Sequence, residues 1–391
     1  MNMKKLLFIA ASAALALPAL AQESKPAAAE DKHSITISLP KVDLPEDVKV
    51  TLSAFMQVQY AYASANGYGA GHDEGGFSLR RTNIAAKASI GKAWNAVVSY
   101  EFDSGTGGGW GYNDYLDKAL VQYSGEAGKL SVGQQKNRFM VEEYTSALKL
   151  PAIERSINSN YIAGNSGIKG LASYHIGVFW DGKLNDDLSY GLSVTNATSR
   201  DYHKESNDLC LTGNLGYDMK LADKTKVTFG LNGIVNFSDD GVYGSNTSNT
   251  SNPILANAGT VWGIEPYVRY TQGNLSVLLD SYYIDGDSDS QIKRTLAAAA
   301  IVAYRIDEHW EPVVRATYLN AHTPAYGVKT SLQNHNPTSG GLPNATSYYL
   351  GANYYLNKYV KISAGYEYVH TFGHGTHADS NCLRTQCQVS F

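Results

Sequence analysis

Residues 226–237, Lys-Val-Thr-Phe-Gly-Leu-Asn-Gly-Ile-Val-Asn-Phe, contain the pattern that decides the fold. Most apolar residues occupy every second position, and most polar residues lie between them. One face carries Val227, Phe229, Leu231, Gly233, Val235 and Phe237, and the other carries Thr228, Gly230, Asn232 and Asn236. Because side chains of an extended chain alternate between the two faces of a sheet, this period of two predicts a β-strand with one apolar face.

The same alternation recurs from residue 48 to the end of the chain, with little helical periodicity. It is clearest in residues 260–272, 358–372 and 383–391. We predict sixteen strands, near residues 48–62, 76–90, 93–103, 114–124, 128–135, 170–180, 187–198, 208–221, 224–237, 258–271, 274–285, 291–306, 308–321, 345–356, 358–372 and 381–391. An even number of strands is typical of bacterial outer-membrane barrels.

The connections between the predicted strands favour a barrel over a sandwich. Tight turns alternate with connections that are mostly longer and rich in Gly, Asn, Ser and Asp. The tight turns lie near residues 91–92, 125–127, 181–186, 222–223, 272–273, 307 and 357. The other connections are 63–75, 104–113, 136–169, 199–207, 238–257, 286–290, 322–344 and 373–380. A Greek-key sandwich has no reason to alternate in this way. The sequence therefore predicts an all-β, 16-stranded antiparallel up-and-down transmembrane β-barrel, with apolar faces towards lipid and polar faces towards a wet interior.

The composition of the 391-residue chain is compatible with this class. Tyr is enriched, at 28 residues, and three Cys are too few for a small disulfide-stapled fold. The longest strictly apolar run after the N-terminus, Leu296–Tyr304, is far shorter than the roughly 20 residues that a membrane-spanning helix needs.

The N-terminus reads as a targeting segment. Residues 1–21 combine Lys4 and Lys5 with an apolar centre and a small-residue cleavage site, which predicts a secretory signal peptide. Residues 22–47 are predicted to be a flexible N-terminal segment before the barrel, which spans 48–391. Without the signal's two lysines the chain has 30 basic and 36 acidic residues, a net charge of −6, so no nucleic-acid partner is expected.

The stretch from Leu52 to Ser156 resembles the phosphate-selective porins of the O and P type. The resemblance rests on the order and spacing of LSAFMQVQY at 52–60, LRRT at 79–82, YLDKA at 115–119, Gly133, TSA at 145–147 and IERS at 153–156. It implies a homotrimer in the lipid of the cell outer membrane. It also implies that each barrel carries small anions or other hydrophilic solutes through its own pore. The third loop, about 136–169, would narrow that pore as a constriction loop.

The resemblance further implies an anion site built from the first two strands and the third loop. Arg80 and Arg81 match its arginines, and Asp117 matches its acidic partner. The chain departs from the family at Phe55, which replaces an arginine, and at Glu143, which replaces a loop lysine. The candidate constriction and anion-binding residues are Arg80, Arg81, Asp117, Lys136, Arg138, Glu143, Lys149 and Arg155.

These departures change the charge expected at the constriction. Glu143 in place of a lysine alters the local charge by two units, which should weaken a phosphate well in a narrow pore. Lys136 replaces a tyrosine and Lys149 is adjacent to the position of a second loop lysine, Leu148. These two lysines, with Arg138 and Arg155, would compensate for that loss.

Two local features need special geometry. Arg80 and Arg81 are neighbours, so one of them would face lipid in an ideal strand, at a cost of roughly 2–4 kcal/mol near mid-membrane. Either the pair lies near the rim, or a bulge turns both side chains inward. Pro266 lies in the middle of a predicted strand and lacks a ladder donor, which predicts a bulge there.

The function favoured by these patterns is passive diffusion of small hydrophilic solutes or ions through an outer-membrane porin, without a cofactor. The alternatives are a non-conducting structural or adhesin barrel, an outer-membrane hydrolase and a soluble sugar-binding sandwich. For the hydrolase we find no convincing set of Ser, His and an orienting group. His370, His374 and His377 cluster near the last loop, and we interpret them as exposed loop residues rather than metal ligands.

Overall fold

The computed structural model describes residues 47–67, 73–104, 112–163, 171–172, 174–197, 209–222, 224–237, 259–287, 294–321 and 342–391. The predicted signal peptide and residues 22–46 lie outside these ranges, so both assignments stay predictions. Within the described ranges, no helix is long and apolar enough to cross a membrane.

The described residues form sixteen strands, and most of their ends agree with the predicted ends within a few residues. They are β1 Val48–Gly67, β2 Glu74–Ile90, β3 Trp94–Ser104, β4 Tyr112–Gly125, β5 Gly128–Lys136, β6 Tyr174–Lys183, β7 Leu188–Asn196, β8 Leu209–Ala222, β9 Thr225–Phe237, β10 Val261–Gln272, β11 Leu275–Gly286, β12 Thr295–Tyr304, β13 Trp310–Ala321, β14 Asn344–Tyr355, β15 Val360–Gly373 and β16 Thr376–Ser390. Two short helices, α1 Val141–Tyr144 and α2 Ile157–Ala163, lie between β5 and β6.

The sheet closes on itself. Each strand pairs antiparallel with its neighbours in the chain, and β1 pairs with β16 to complete the ring. The last residue takes part in the seam, because Phe391 N–H donates to Ala54 O at 3.0 Å and Ala54 N–H donates to Phe391 O at 2.9 Å. The predicted 16-stranded antiparallel barrel is confirmed.

Side chains alternate across the wall in the direction expected of a barrel in lipid. On β7, Leu192 and Val194 are 60% and 48% exposed, whereas Ser193 and Thr195 between them are 6% and 2% exposed. Large apolar side chains lie on the exposed outer face of many other strands, and polar side chains dominate the buried inner positions. A sandwich would bury the apolar face, so this polarity excludes one.

Two details of the predicted strands are wrong. At Pro266 the register of β10 with β9 and β11 runs through without a shift, so there is no bulge. The pairing with β11 simply lapses at Glu265 and Pro266 and resumes in the same register at Tyr267, because a missing donor need not displace the strand.

The second correction concerns the predicted long connection 373–380. Strands β15 and β16 are joined by a tight hairpin instead, with His374 and Gly375 at its tip. Both tip residues have a positive φ, 51° and 76°, as in the two-residue turns that match the twist of the flanking strands.

Because the apolar outer face contacts lipid, a charge placed on that face should cost more free energy at mid-membrane than near the rim of the barrel. Leu350 lies at the middle of β14 and is 64% exposed on the outer face, so Leu350→Arg should destabilise the folded barrel in lipid by roughly 2–4 kcal/mol. Leu184, in the turn after β6, is 66% exposed, and Leu184→Arg should cost roughly 0–1 kcal/mol. Urea unfolding in lipid vesicles measures both. Equal costs for the two variants would contradict the outward orientation.

Candidate functional site

The third loop, between β5 and β6, folds into the barrel. Its described part runs from Asn137 to Ala163 and includes α1, a 3-10 turn at Ala147–Lys149 and α2. The loop bonds to wall strands on opposite sides of the interior. Near the start of the loop, the backbone donates to Glu265 of β10. Further along the loop, Pro151 O accepts from Asn353 Nδ2 of β14 at 2.9 Å, and Glu154 binds Arg80 of β2. Strands β2 and β10 are eight places apart in a ring of sixteen, so the loop crosses the lumen from wall to wall.

An apolar seat on the inner wall holds the second half of the loop. The run Leu296–Tyr304 of β12 is apolar on both faces, which a strand between lipid and water would not be. Helix α2 packs on β12 and β13, where Ile162 joins Ala297 and Leu319 in a cluster in which these three side chains are fully buried. Asn158 Nδ2 also donates to Ala298 O at 2.8 Å. The doubly apolar run was therefore a sequence signal for the loop's seat.

The two adjacent arginines both face the interior. The register of β1 with β2 shifts between Gln57 and Val58, so that Gln57 pairs with Arg81, Val58 pairs with Leu79, and Arg80 is the extra residue of a bulge. Arg80 and Arg81 are 8% and 5% exposed. Of the two alternatives left open by the sequence, the structure has the bulge, which turns both guanidinium groups inward.

Glu154 of the loop binds both arginines. Arg80 Nε lies 2.6 Å from Glu154 Oε1, and Arg81 Nη2 lies 3.1 Å from Glu154 Oε2. Burial raises the pKa of this carboxyl, but Arg80 and Arg81 outweigh burial and lower the pKa of Glu154 to about 2. The carboxylate is thus ionised at neutral pH and ties the loop to β2.

A second group of charged residues lies where the loop leaves β5. Glu143 binds Lys136 Nζ at 2.5 Å and Arg155 Nε at 2.8 Å. Burial raises the pKa of Glu143, but the charges of Arg155 and Lys136 lower it to about 2. This group of one carboxylate and two cations keeps one net positive charge.

The remaining predicted site residues lie apart from these two groups. Asp117 is the extra residue of a second bulge, in β4, and accepts from Ser99 Oγ at 2.8 Å. Arg138 binds Asp181 at 2.5 Å, and Lys149 is exposed on the 3-10 turn. The structure therefore joins Arg80 to Arg81 through Glu154, and Lys136 to Arg155 through Glu143.

Charged residues that the sequence analysis did not select complete the contact between loop and wall. Arg315 of β13 binds Glu142 of the loop at 3.3 Å and Glu367 of β15 at 2.9 Å, and Arg384 of β16 binds Glu367 at 3.2 Å. The wall residues could have been found, because Arg315, Glu367 and Arg384 occupy the inner positions of alternating strands. The loop residues Glu142 and Glu154 carry no periodic signal.

The inner wall towards the tight turns carries many more cations than carboxylates. Ion pairs there join Lys129 to Asp181, Lys226 to Asp218 and Arg305 to Glu311. By strand register, further cations face inward without a carboxylate of the described residues within ion-pair distance. They are Lys49, Lys87, Lys118, Lys183, Lys220, Arg269 and Lys361. Two described carboxylates on the inner face, Asp117 and Asp280, likewise have no described ion-pair partner, so the seven unpaired cations outnumber them. This end of the lumen is therefore positive.

Metal binding finds no support in the described part of the chain. There, no group of three or more His, Cys, Asp or Glu side chains could hold a metal ion. His370 faces outward and bonds Asp379 at 2.7 Å.

The family model of the Gram-negative porins matches residues 9–374. Among the curated proteins, none matches the chain.

Solved structures share the fold at low sequence identity. The outer membrane channel DcaP of Acinetobacter baumannii is 14% identical, with a TM-score of 0.56 over 88% of this chain and 97% of that chain. The anion-selective porin from Comamonas acidovorans is 13% identical, with a TM-score of 0.58 over 88% and 100%. OmpT of Vibrio cholerae in a trimer form is 12% identical, with a TM-score of 0.52 over 88% and 99%.

The lowered pKa of Glu154 predicts a pH-dependent stability. Its pKa is about 2 in the folded protein against an ordinary value of 4.5, so its contribution is fully present above about pH 5 and is lost as the pH falls towards 2. Glu154→Gln should cost about 3–5 kcal/mol at neutral pH, since it removes the carboxylate that binds two buried arginines. The difference in thermal unfolding between wild type and Glu154→Gln, followed by circular dichroism, should shrink between pH 4.5 and 2.

The control for this experiment is Glu126→Gln, in the exposed turn after β4, which should unfold close to wild type. A wild-type advantage over Glu154→Gln that is the same at pH 2 and pH 7 would contradict the ion pair.

Proposed function

Because the chain belongs to the Gram-negative porin family and is a channel of the outer membrane for small solutes, we propose that it conducts passively and prefers small anions. The observation that carries the anion preference is the unpaired set of inward cations towards the tight turns. Outer-membrane barrels carry their short turns on the periplasmic side, so this set lines the periplasmic half of the pore. In a narrow channel with low-dielectric walls, fixed cations raise the local concentration of anions.

The loop and its charges act as the constriction in this proposal. Around the crossing, the cations Arg80, Arg81, Lys136, Arg155, Arg315 and Arg384 bind the carboxylates Glu142, Glu143, Glu154 and Glu367. These ion pairs join six cations to four carboxylates, so most of the charge at this level is neutralised locally. Asp117 of the wall and Lys149 of the loop have no ion-pair partner among the described residues, and Arg138 pairs with Asp181.

The resemblance to the O and P type porins implies phosphate as the solute. The contacts argue for a general preference for small anions over a deep phosphate well, since Glu154 occupies the donors of Arg80 and Arg81. Glu143 likewise occupies Lys136 and Arg155. Ions that pass quickly need sites that bind weakly enough to release them, which an already paired arginine supplies.

The assembly proposed is a homotrimer, each subunit with its own pore. Its support is the resemblance and the trimer form in which the similar OmpT of Vibrio cholerae occurs. Residues 1–21 as a cleaved signal and 22–47 as a flexible segment before the barrel belong to the same proposal.

Conductance of the purified protein in planar bilayers tests the proposed function directly. We expect stepwise insertion events with a current proportional to voltage, because the polar inner wall supports a continuous water path. Under a potassium chloride gradient, the reversal potential should have the sign of chloride preference. A folded protein that inserts without conducting would support the structural or adhesin alternative instead, and a potassium preference would defeat the anion proposal.

The source of the preference is tested by Lys87→Gln combined with Lys118→Gln. Both lysines face inward on neighbouring parts of β2 and β4 without a described carboxylate partner. Removing two fixed cations should move the reversal potential towards zero and reduce chloride over potassium permeability. The matched control is Lys358→Gln in the turn after β14, where the ammonium lies over the Tyr359 ring, and it should leave the reversal potential unchanged. Equal effects of the double variant and the control would refute this source.

A further inference from the structure

Glu265 is a fully buried carboxylate of the barrel wall that bonds to the backbone of the loop. It lies on the inner face of β10 and is 0% exposed. Met140 N–H donates to its Oε2 and Val141 N–H to its Oε1, both at 2.6 Å. Asn232 Nδ2 of the neighbouring strand β9 donates to Oε2 at 2.7 Å and holds the carboxylate in place. Both oxygens of one wall side chain are thus committed to the loop's entry into the lumen.

The backbone at this point needs to be held. Met140 has a φ of 68°, in the left-handed region that is unfavourable for a residue with a side chain. Its side chain is 1% exposed and belongs to the apolar cluster with Phe139 and Ile157. The N–H groups of Met140, at the N-cap of α1, and of Val141, its first residue, have no partner within that helix. A reversal of the chain in this unfavourable conformation persists only where its surroundings hold it, and Glu265 supplies that hold.

Glu265 and the arginine pair hold the loop at opposite walls. Glu265 of β10 fixes the loop near its start, and Arg80 and Arg81 of β2 fix it at Glu154. With β2 and β10 eight strands apart, the segment between Met140 and Glu154 is tied at both ends of a diameter. The ion pairs at Glu154 set only one end of that segment. At the other end, Glu142 and Glu143 bind Arg315 and Lys136. Among these contacts, Glu265 holds the backbone of the entry turn itself, and with it the edge of the open passage.

We propose that Glu265 is a positioning residue for permeation, which sets how far the loop's entry segment stands from the wall and thereby the width and ion preference of the passage. This inference rests on the proposed function, since it specifies a determinant of the same pore. Glu265 acts through the loop backbone and need not touch a permeating ion.

Single-channel recording of wild type, Glu265→Ala and Glu265→Gln tests the inference. Alanine removes both acceptor oxygens, and glutamine keeps the side-chain volume and one acceptor. Asp218→Ala and Asp218→Asn are the matched controls, because Asp218 is an inward carboxylate of β8 that pairs with Lys226 and not with a described residue of the loop. Heat-modifiable electrophoretic migration checks that each variant has a folded barrel.

The expected result is a graded change that follows the number of acceptors. Glu265→Ala should lose the single conductance level and show a larger, noisier open current with a shifted reversal potential. Glu265→Gln should lie between it and wild type. The Asp218 variants should shift the reversal potential to the same extent as each other, without added noise. If charge alone mattered, Glu265→Ala and Glu265→Gln would be equal, and that result would overturn the proposal.

The remaining outcomes are also decisive. A wild type that does not conduct defeats the proposed function itself. A conducting wild type with Glu265→Ala traces like those of Asp218→Ala defeats only the positioning role. If Glu265→Ala does not fold, Glu265→Gln decides, because it leaves one loop N–H without its acceptor; wild-type traces from that variant would overturn the inference.

Discussion

The closure of the sheet between β1 and β16 is the constraint on which the structure depends. In hydrocarbon, an unpaired backbone N–H or C=O has no water to bind, so an extended chain can cross only if its sheet has no free edge. The register from Phe55 to Gly67 against β16, continued by the mutual bonds of Ala54 and Phe391, removes that edge. Closure also separates an outside from an inside, and the two-residue period of each strand then sorts side chains between lipid and lumen.

The interior shows what a charged lumen requires. A buried arginine is tolerable only with a partner, because desolvation of an unpaired charge costs several kcal/mol. The loop brings Glu142 and Glu154 to the wall arginines Arg315, Arg80 and Arg81, so these pairs hold a segment that has little regular structure of its own. The apolar seat on β12 supplies the non-directional part of the same attachment.

Charge is consequently distributed unevenly along the pore. At the level of the loop, carboxylates offset most of the cations, whereas nearer the tight turns cations such as Lys87, Lys118 and Arg269 form no ion pair with a described carboxylate. An anion preference arising from such a wall depends on the summed field of many groups. It therefore requires no single deep binding site.

Much of the fold could be predicted from the sequence, because alternation of apolar and polar residues is a local signal. The strand count, the tight turns and the closed architecture followed from it. The bulge predicted at Pro266 was wrong because strand pairing can lapse at a missing donor without a shift of register. The long connection predicted at 373–380 was wrong because nothing in the sequence indicated that His374 adopts the left-handed conformation of a tight hairpin.

The contacts of the candidate site were harder to predict from the sequence than the fold was, and the reason is physical. Arg80 and Arg81 could be placed on a bulge as one of two alternatives, because adjacent charges conflict with strand parity. The partner of that pair, Glu154, lies 74 and 73 residues away in a loop without periodicity. Such a pairing depends on how the loop crosses the lumen, and so does the contact of Glu265 with Met140.

The central claim is that the apolar face of each strand contacts lipid while the polar face contacts a lumen. A fluorophore attached to single cysteines at Leu192, Ser193, Val194 and Thr195, in a variant lacking the native cysteines, reports each position's surroundings through quenching by brominated lipid. The account predicts strong quenching at 192 and 194 and weak quenching at 193 and 195. Equal quenching at all four positions, or the opposite alternation, would contradict it.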